Sequence, residues 1–224
     1  MSGRILVVAA HPDDEILGMG GTIAKHALYE GAEIAVLWVS DGSTGQYPGN
    51  REILELKQKE AEAAARTLGV VHCMQRELPN MRLDAVPHID VNRVVEEAVE
   101  EFCPDTVYTV HPDVNLDHRM VFQSVMVATR PRGGCPVRRV LSYATTSAVE
   151  WTPPFEASFR PNWFSNVTDT IEDKVRAFAC YTTETRSWPH PRSSRAIRAN
   201  AEAWGTWVGW ECAEPFLLVR QLCD

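Results

Sequence analysis

Apolar segments of two kinds alternate along the chain. Residues 5–10 (ILVVAA) and 34–39 (IAVLWV) are continuous apolar runs rich in β-branched residues, which predicts strands covered on both faces. Elsewhere the apolar positions recur at helical spacing. One such segment covers about residues 17–29 and stops at Gly31. A longer one repeats Ile53, Leu54, Leu56, Ala61, Ala64, Ala65 and Leu68 before Gly69. The alternation continues with a short strand at 70–74, a helix at 91–102, a strand at 106–110, a helix at 120–129 and a strand at 137–144. Strands separated by helices are βαβ units with right-handed crossovers, so the expected fold is α/β with a mostly parallel sheet. The last third is less regular. WTPPFEASFRPNWF reads as a proline-broken aromatic loop, followed by helices at 171–181 and 194–204 and a final strand at 215–221. With no repeat and no low-complexity linker, a single domain over residues 1–224 is expected.

Composition narrows the function classes. The formal net charge is −8, which argues against a nucleic-acid partner, because phosphate binding needs a positive field. The basic clusters near residues 130–132, 138–139 and 192–198 are short and read as solvated faces, with Arg192 the exception. The first apolar run is too short for a signal-peptide core, and no segment is long enough for a membrane span. The six cysteines are scattered without a C-x-x-C pair, as expected for the reduced thiols of a cytoplasmic protein. Any metal must then be held by histidine and carboxylate.

In an open parallel sheet, ligands sit beyond the carboxyl ends of the strands. AHPDDE, SDGSTG and HPDVNLDHR all fall at such ends, and the first and last are rich in His and Asp. His11 and Asp14 are three residues apart across a turn into a helix, so both side chains can point at one centre, with His118 the natural third ligand. Asp13, beside a ligand, is the candidate general base on a metal-held water. Asp117 is a candidate to orient a neighbour. His26, His72 and His88 lack acidic company and read as structural. The spacing points to a metal-dependent hydrolase and goes no further. His and Asp ligands suit zinc, and ferrous iron or cobalt fits the same set. A second reading takes GMGG as a dinucleotide-binding turn, but Gly18 comes well after the strand end, and the acids at the helix start would repel a pyrophosphate. A third reading is a non-catalytic metal-binding protein, which would have no need of Asp13.

AHPDDE with a downstream NLDHR resembles the zinc-dependent N-acetylglucosaminyl deacetylases related to PIG-L and LmbE. SDGSTG resembles that family's second-strand loop and KQKEAEAAARTLGV its following helix. DKVRAFACYTTETRSWPHPRS and GWECAEPFLLVR are similar to the C-terminal part of one bacterial branch. The resemblance implies a Rossmann-like three-layer fold. It also implies metal binding by His11, Asp14 and His118, Asp13 as base, and removal of an N-acetyl group from an amino sugar or sugar-containing metabolite. A non-sugar acetamide stays open as substrate, and the size leaves room for a homo-oligomer.

The chain departs from the family pattern at Asn115, where many members carry a histidine. An asparagine amide can donate to an oxyanion but cannot act as general acid. The proton donor is then Asp13 itself, or else His111 or His190. Asn80 stands where related sequences often have an acid. Arg119 and Arg192 are candidate contacts to substrate, His190 and Arg192 being carried on a loop stiffened by Pro189 and Pro191. Trp151 or Trp188 is the candidate stacking surface.

Overall fold

The computed structural model describes residues 3–153 and 158–223. Seven strands form one sheet in the order β3-β2-β1-β4-β5-β7-β6. In chain order these are β1 (Arg4–Ala9), β2 (Glu33–Ser40), β3 (His72–Leu78), β4 (Thr106–Val110), β5 (Arg139–Tyr143), β6 (Trp163–Asn166) and β7 (Ala213–Gln221). The first five run parallel, and β7 is antiparallel to both β5 and β6. The helices are α1 (Asp14–Ala24), α2 (Arg51–Thr67), α3 (His88–Phe102), α4 (Leu116–Ala128), α5 (Ile171–Ala179) and α6 (Ser194–Val208). Helices α3 and α4 pack together as one outer layer, whereas α5 joins α1, α2 and α6 in the other. The continuous apolar runs are strands buried on both faces: Leu6, Val7, Val8, Ala35, Leu37 and Val107 have no exposed surface.

The expected α/β architecture is present, with local differences that have physical causes. β3 runs on to Leu78 through polar residues, because it is an edge strand whose side chains are largely exposed. β6 begins at the end of the stretch expected to be a loop and runs two residues beyond it. It is a four-residue edge strand that needs only β7 as partner. Residues 154–157 of that stretch lie outside the described residues. α4 begins at Leu116, four residues earlier than its apolar spacing indicates, because Asn115 caps it by accepting from the Asp117 N–H at 2.9 Å. α1 likewise begins at Asp14 and continues into one π turn, Lys25–Tyr29, before Gly31 turns the chain at φ +67°. The cysteines are free thiols. Among the described residues no helix is long and apolar enough to cross a membrane.

The glycines of GMGG serve packing. At Gly21 a methyl group would come within 2.9 Å of Val167. Helix α1 kinks at Met19 (φ −147°), and the buried Glu214 carboxylate accepts from the Gly21 and Thr22 N–H groups at 3.0 and 2.7 Å. Lys174 neutralises Glu214 at 2.6 Å. Gly18 meets the ring of Tyr143, whose hydroxyl donates to the Val8 carbonyl at 2.9 Å. A Cβ at Gly18 would stand 2.2 Å from a Tyr143 ring carbon. Gly18→Ala, which raises helix propensity, is therefore expected to lower stability by about 2 kcal/mol through overpacking. Urea unfolding at unchanged m checks this, and a midpoint at or above that of the parent protein contradicts it.

Candidate active site

The site lies where strand order reverses. From β1 the chain moves outward one way through β2 and β3, then returns to place β4 against the other side of β1. The loops leaving the carboxyl ends of β1 and β4 therefore meet, as expected at such a switch point. Both open with the tripeptide His-Pro-Asp, at residues 11–13 and 111–113. The two copies do different work.

In the first copy, Asp13 is forced to φ 116°, an αL-side conformation that costs energy in any residue with a Cβ. The turn is held by Leu17 N–H donating to the Asp13 carbonyl at 2.9 Å and by His11 N–H donating to Asp14 Oδ2 at 2.9 Å. It leaves His11 Nδ1 3.3 Å from Asp14 Oδ2. From the β4 side, His118 in the first turn of α4 brings Nε2 to 3.4 Å from Asp14 Oδ1. One ligand atom from each of His11, Asp14 and His118 fits within 4.8 Å of the others. His118 Nε2 is buried and has no hydrogen-bond partner among the described residues. An orphaned, buried imidazole nitrogen facing a carboxylate is the donor set that a divalent cation satisfies.

The far sides of both imidazoles are anchored by carboxylates. Asp113, the last residue of the second His-Pro-Asp, stands 2.8 Å from His118 Nδ1. Asp117 stands 3.0 Å from His11 Nε2 and also accepts from Met81 N–H at 2.7 Å and Leu83 N–H at 2.9 Å. Such partners fix ring orientation and raise ligand basicity. Without a cation the histidines hold protons. Burial alone would depress His11, but Asp14 and Asp117 outweigh it and raise its pKa to about 9. His118 is raised to about 10 against the same burial, by Asp14 and Asp113. Asp14 is held far below the usual carboxylate range, the histidines opposing its own burial.

Asp13 points elsewhere. Its Oδ2 lies 3.0 Å from Arg192 Nη1, and burial raises its pKa to about 7 despite that cation. The same Arg192 nitrogen binds Glu184, Arg192 Nε donates to Ser147 Oγ at 2.9 Å, and Glu184 pairs with buried Lys57 at 2.7 Å. Asp13, Arg192, Glu184 and Lys57 thus form a chain of alternating charge along a cavity of about 100 Å³ above the His–Asp–His cluster. Glu15 is buried behind it, accepting from the Tyr181 hydroxyl at 3.1 Å. Asn115, Asn80, Thr145 and Thr146 also line the cavity. Asn115 spends its Oδ1 on the helix cap, so its amide nitrogen is the end left to donate, its neighbour being Met81 Sδ at 3.7 Å.

Asp117, the candidate to orient a neighbour, is buried beside His11 with Oδ2 3.0 Å from the ring Nε2. Several other expected site residues are placed otherwise. His111 is not among the cavity's lining residues. It is buried against Phe159 and Phe122, with Nδ1 3.0 Å from Ser142 Oγ. His190 also stands off the cavity, its Nδ1 accepting from the Arg192 N–H at 3.1 Å, so its loop holds Arg192. Arg119 donates to the Asp113 carbonyl and does not line the cavity. Arg192 lines it, but its guanidinium is engaged by Asp13, Glu184 and Ser147. Trp188 is half exposed and carries Arg195 over its ring at 4.4 Å, whereas Trp151 borders a neighbouring cavity that shares Asn115 with this one. Sequence reasoning missed Asp113, Lys57, Glu184, Thr145 and Thr146. Only Asp113 had a signal, the repeated His-Pro-Asp.

The family described as PIG-L, GlcNAc-PI de-N-acetylase, matches residues 6–129, more than half of the chain. An uncharacterized deacetylase of Escherichia coli K12 is 31% identical over 172 residues, 73% of this chain and 81% of its own. A probable N-acetyl-α-D-glucosaminyl L-malate deacetylase of Bacillus anthracis is 25% identical over 195 residues, 82% of this chain and 85% of its own. The crystal structure of a conserved protein from Thermus thermophilus superposes with a TM-score of 0.80 at 25% identity, covering 99% of this chain and 97% of the other.

Two outcomes test the packing around the site. Removing Glu184 leaves Lys57 without its carboxylate and Arg192 with Asp13 as its remaining carboxylate among the described residues. Glu184→Ala is therefore expected to cost about 3 kcal/mol in chemical denaturation, and Glu184→Gln distinctly less. A second test concerns His111, whose burial lowers its pKa to about 4. The unfolded chain binds that proton near pH 6.5, so this contribution to stability is complete above pH 6.5 and is lost as pH falls towards 4. Between pH 7 and 4.5 the parent protein should lose on the order of 1 to 2 kcal/mol more than His111→Gln, measured by urea unfolding.

Proposed function

The chain belongs to the PIG-L family, and on that premise we propose that it is a metal-dependent N-deacetylase of small amino-sugar conjugates. The observation that carries the proposal is the His11–Asp14–His118 cluster with the separate carboxylate of Asp13 beside it, at the floor of one cavity. Membership supports hydrolysis of a non-peptide C–N bond. The B. anthracis relative, named as a deacetylase of an N-acetylglucosaminyl conjugate, supports the substrate class.

In this reading His11, Asp14 and His118 hold a divalent metal, with zinc the first choice for two imidazoles and one carboxylate. When bound, the metal supplies Lewis acidity and makes water ionisable near neutral pH. Asp13 takes the proton of the attacking water on Oδ1 or Oδ2. Its burial keeps the carboxylate basic enough to do so, and Arg192 keeps it from turning into the cluster. The Asn115 amide nitrogen donates to the carbonyl oxygen as negative charge develops there. With His111 and His190 both off the cavity, Asp13 returns its proton to the departing amine. Products are acetate and a free amino sugar.

Asp13→Asn is expected to bind metal normally and to lose about 10²- to 10⁴-fold in kcat, and Asp14→Asn to lose the metal itself. Metal content by mass spectrometry, together with amine release from a panel of N-acetylated sugars and conjugates, checks both. Chelation should abolish activity and added zinc restore it. Full activity of Asp13→Asn would remove the assigned base, and absence of amine release from every sugar by the metal-loaded protein would remove the function.

A further inference from the structure

We infer that the catalytic cavity continues into a shelf that receives a neutral, apolar aglycone of the amino-sugar substrate. The inference deepens the proposed function and rests on it. A second cavity of about 400 Å³ adjoins the first and shares Met81, Asn115, Ser147 and Ala148 with it. Its walls carry four large apolar side chains that face solvent: Met81 (53% exposed), Val114 (44%), Leu116 (51%) and Trp151 (60%). Single exposed apolar residues are ordinary, but three separate segments converging on the mouth of a polar site form a patch that binds something.

The shelf is built and is tied to the metal cradle. Met81 sits at φ +59°, its N–H bonded to the same Asp117 carboxylate that orients His11. Val114 and Leu116 flank Asn115, the cap residue facing the catalytic cavity. Trp151 ends a 3-10 turn closed by its N–H to the Ala148 carbonyl at 3.1 Å.

Polarity sets the direction in which a substrate lies. Thr145 and Thr146, among the residues lining the catalytic cavity, bury hydroxyls that have no partner among the described residues. Unpaired buried hydroxyls are costly and mark where the sugar's own hydroxyls go. The glycosidic side then points across Ser147 and Ala148 onto the apolar shelf. Charge narrows the aglycone further. The shelf's ionisable lining residues are Asp84 and Asp117, with no cation among them, so a carboxylated or phosphorylated aglycone is disfavoured.

The test uses the metal-loaded full chain and a series of N-acetylglucosaminides with methyl, hexyl, phenyl and carboxypentyl aglycones, read by amine release. Hexyl and phenyl glycosides should exceed the methyl glycoside by about tenfold in kcat/KM, chiefly through KM, and the carboxypentyl glycoside should show no such gain. Trp151→Ala, and Val114→Ser on a different segment, should each collapse the hexyl-to-methyl ratio towards one. Equal kcat/KM along the series in active enzyme overturns the shelf and leaves the deacetylase standing. So does an unchanged ratio in both variants, or a change of oligomeric state in Trp151→Ala without a change of ratio, which would make the shelf a contact between copies. Calorimetric titration with the hexyl and methyl glucosaminides, which need no turnover, separates the two readings. Preferential hexyl binding lost in Trp151→Ala supports the shelf even where no amine is released, and absence of that preference overturns it.

Discussion

Parallel pairing of β1 with β4 is the constraint on which the site depends. Residues 5–8 of β1 stand beside 106–109 of β4 in continuous register, so their exit loops begin at the same level of the sheet. Two His-Pro-Asp turns a hundred residues apart thus become neighbours. Asp14 is shared between His11 of the first turn, at 3.3 Å from Nδ1, and His118 of the helix that follows the second, at 3.4 Å from Nε2. Slippage of that register by one residue would exchange one strand's side chains between the two helix layers that cover it, so the core that fixes the sheet also fixes the cluster.

The second copy of the tripeptide shows how one motif divides its work. In the first turn the histidine faces the cluster and the last aspartate stands beside it. In the second, His111 turns into an aromatic pocket while Asp113 supports His118. The supporting carboxylates Asp113 and Asp117 sit within five residues of His118, on the loop and first turn of α4. Asp117 reaches both ways, to His11 and to the backbone of Met81 and Leu83, so the loop after β3 is registered to the His–Asp–His cluster.

The C-terminal third closes the cavity on the side of Asp13. Its loop carries Glu184 and Arg192 against Lys57 of α2, and buried charges there are satisfied by each other in series. Such a chain adds little net stability, because desolvation offsets attraction, but it leaves Asp13 one orientation. An acid that is buried, backed by a fixed cation and held out of the cluster differs in environment from Asp14 next to it. That difference in environment is what the proposed function uses to assign one of the two adjacent carboxylates as ligand and the other as base.

The sequence alone determined the alternation of strands and helices, the parallel core of the sheet and the cluster of His11, Asp14 and His118 with Asp13 beside it. These depend on hydrophobic period, on strand ends and on side-chain types close in the chain, all of which are local. What only the tertiary structure decided depends on distant neighbours. β6 is visible only through its pairing with β7, and Arg192 is engaged because Glu184 and Asp13 fold onto it. His111 and His190 looked equivalent as proton donors until packing turned one into a core and the other onto a backbone N–H. Thr145 and Thr146 carry no pattern at all. Their importance comes from burial without a partner, a property of the space around a side chain that no spacing encodes.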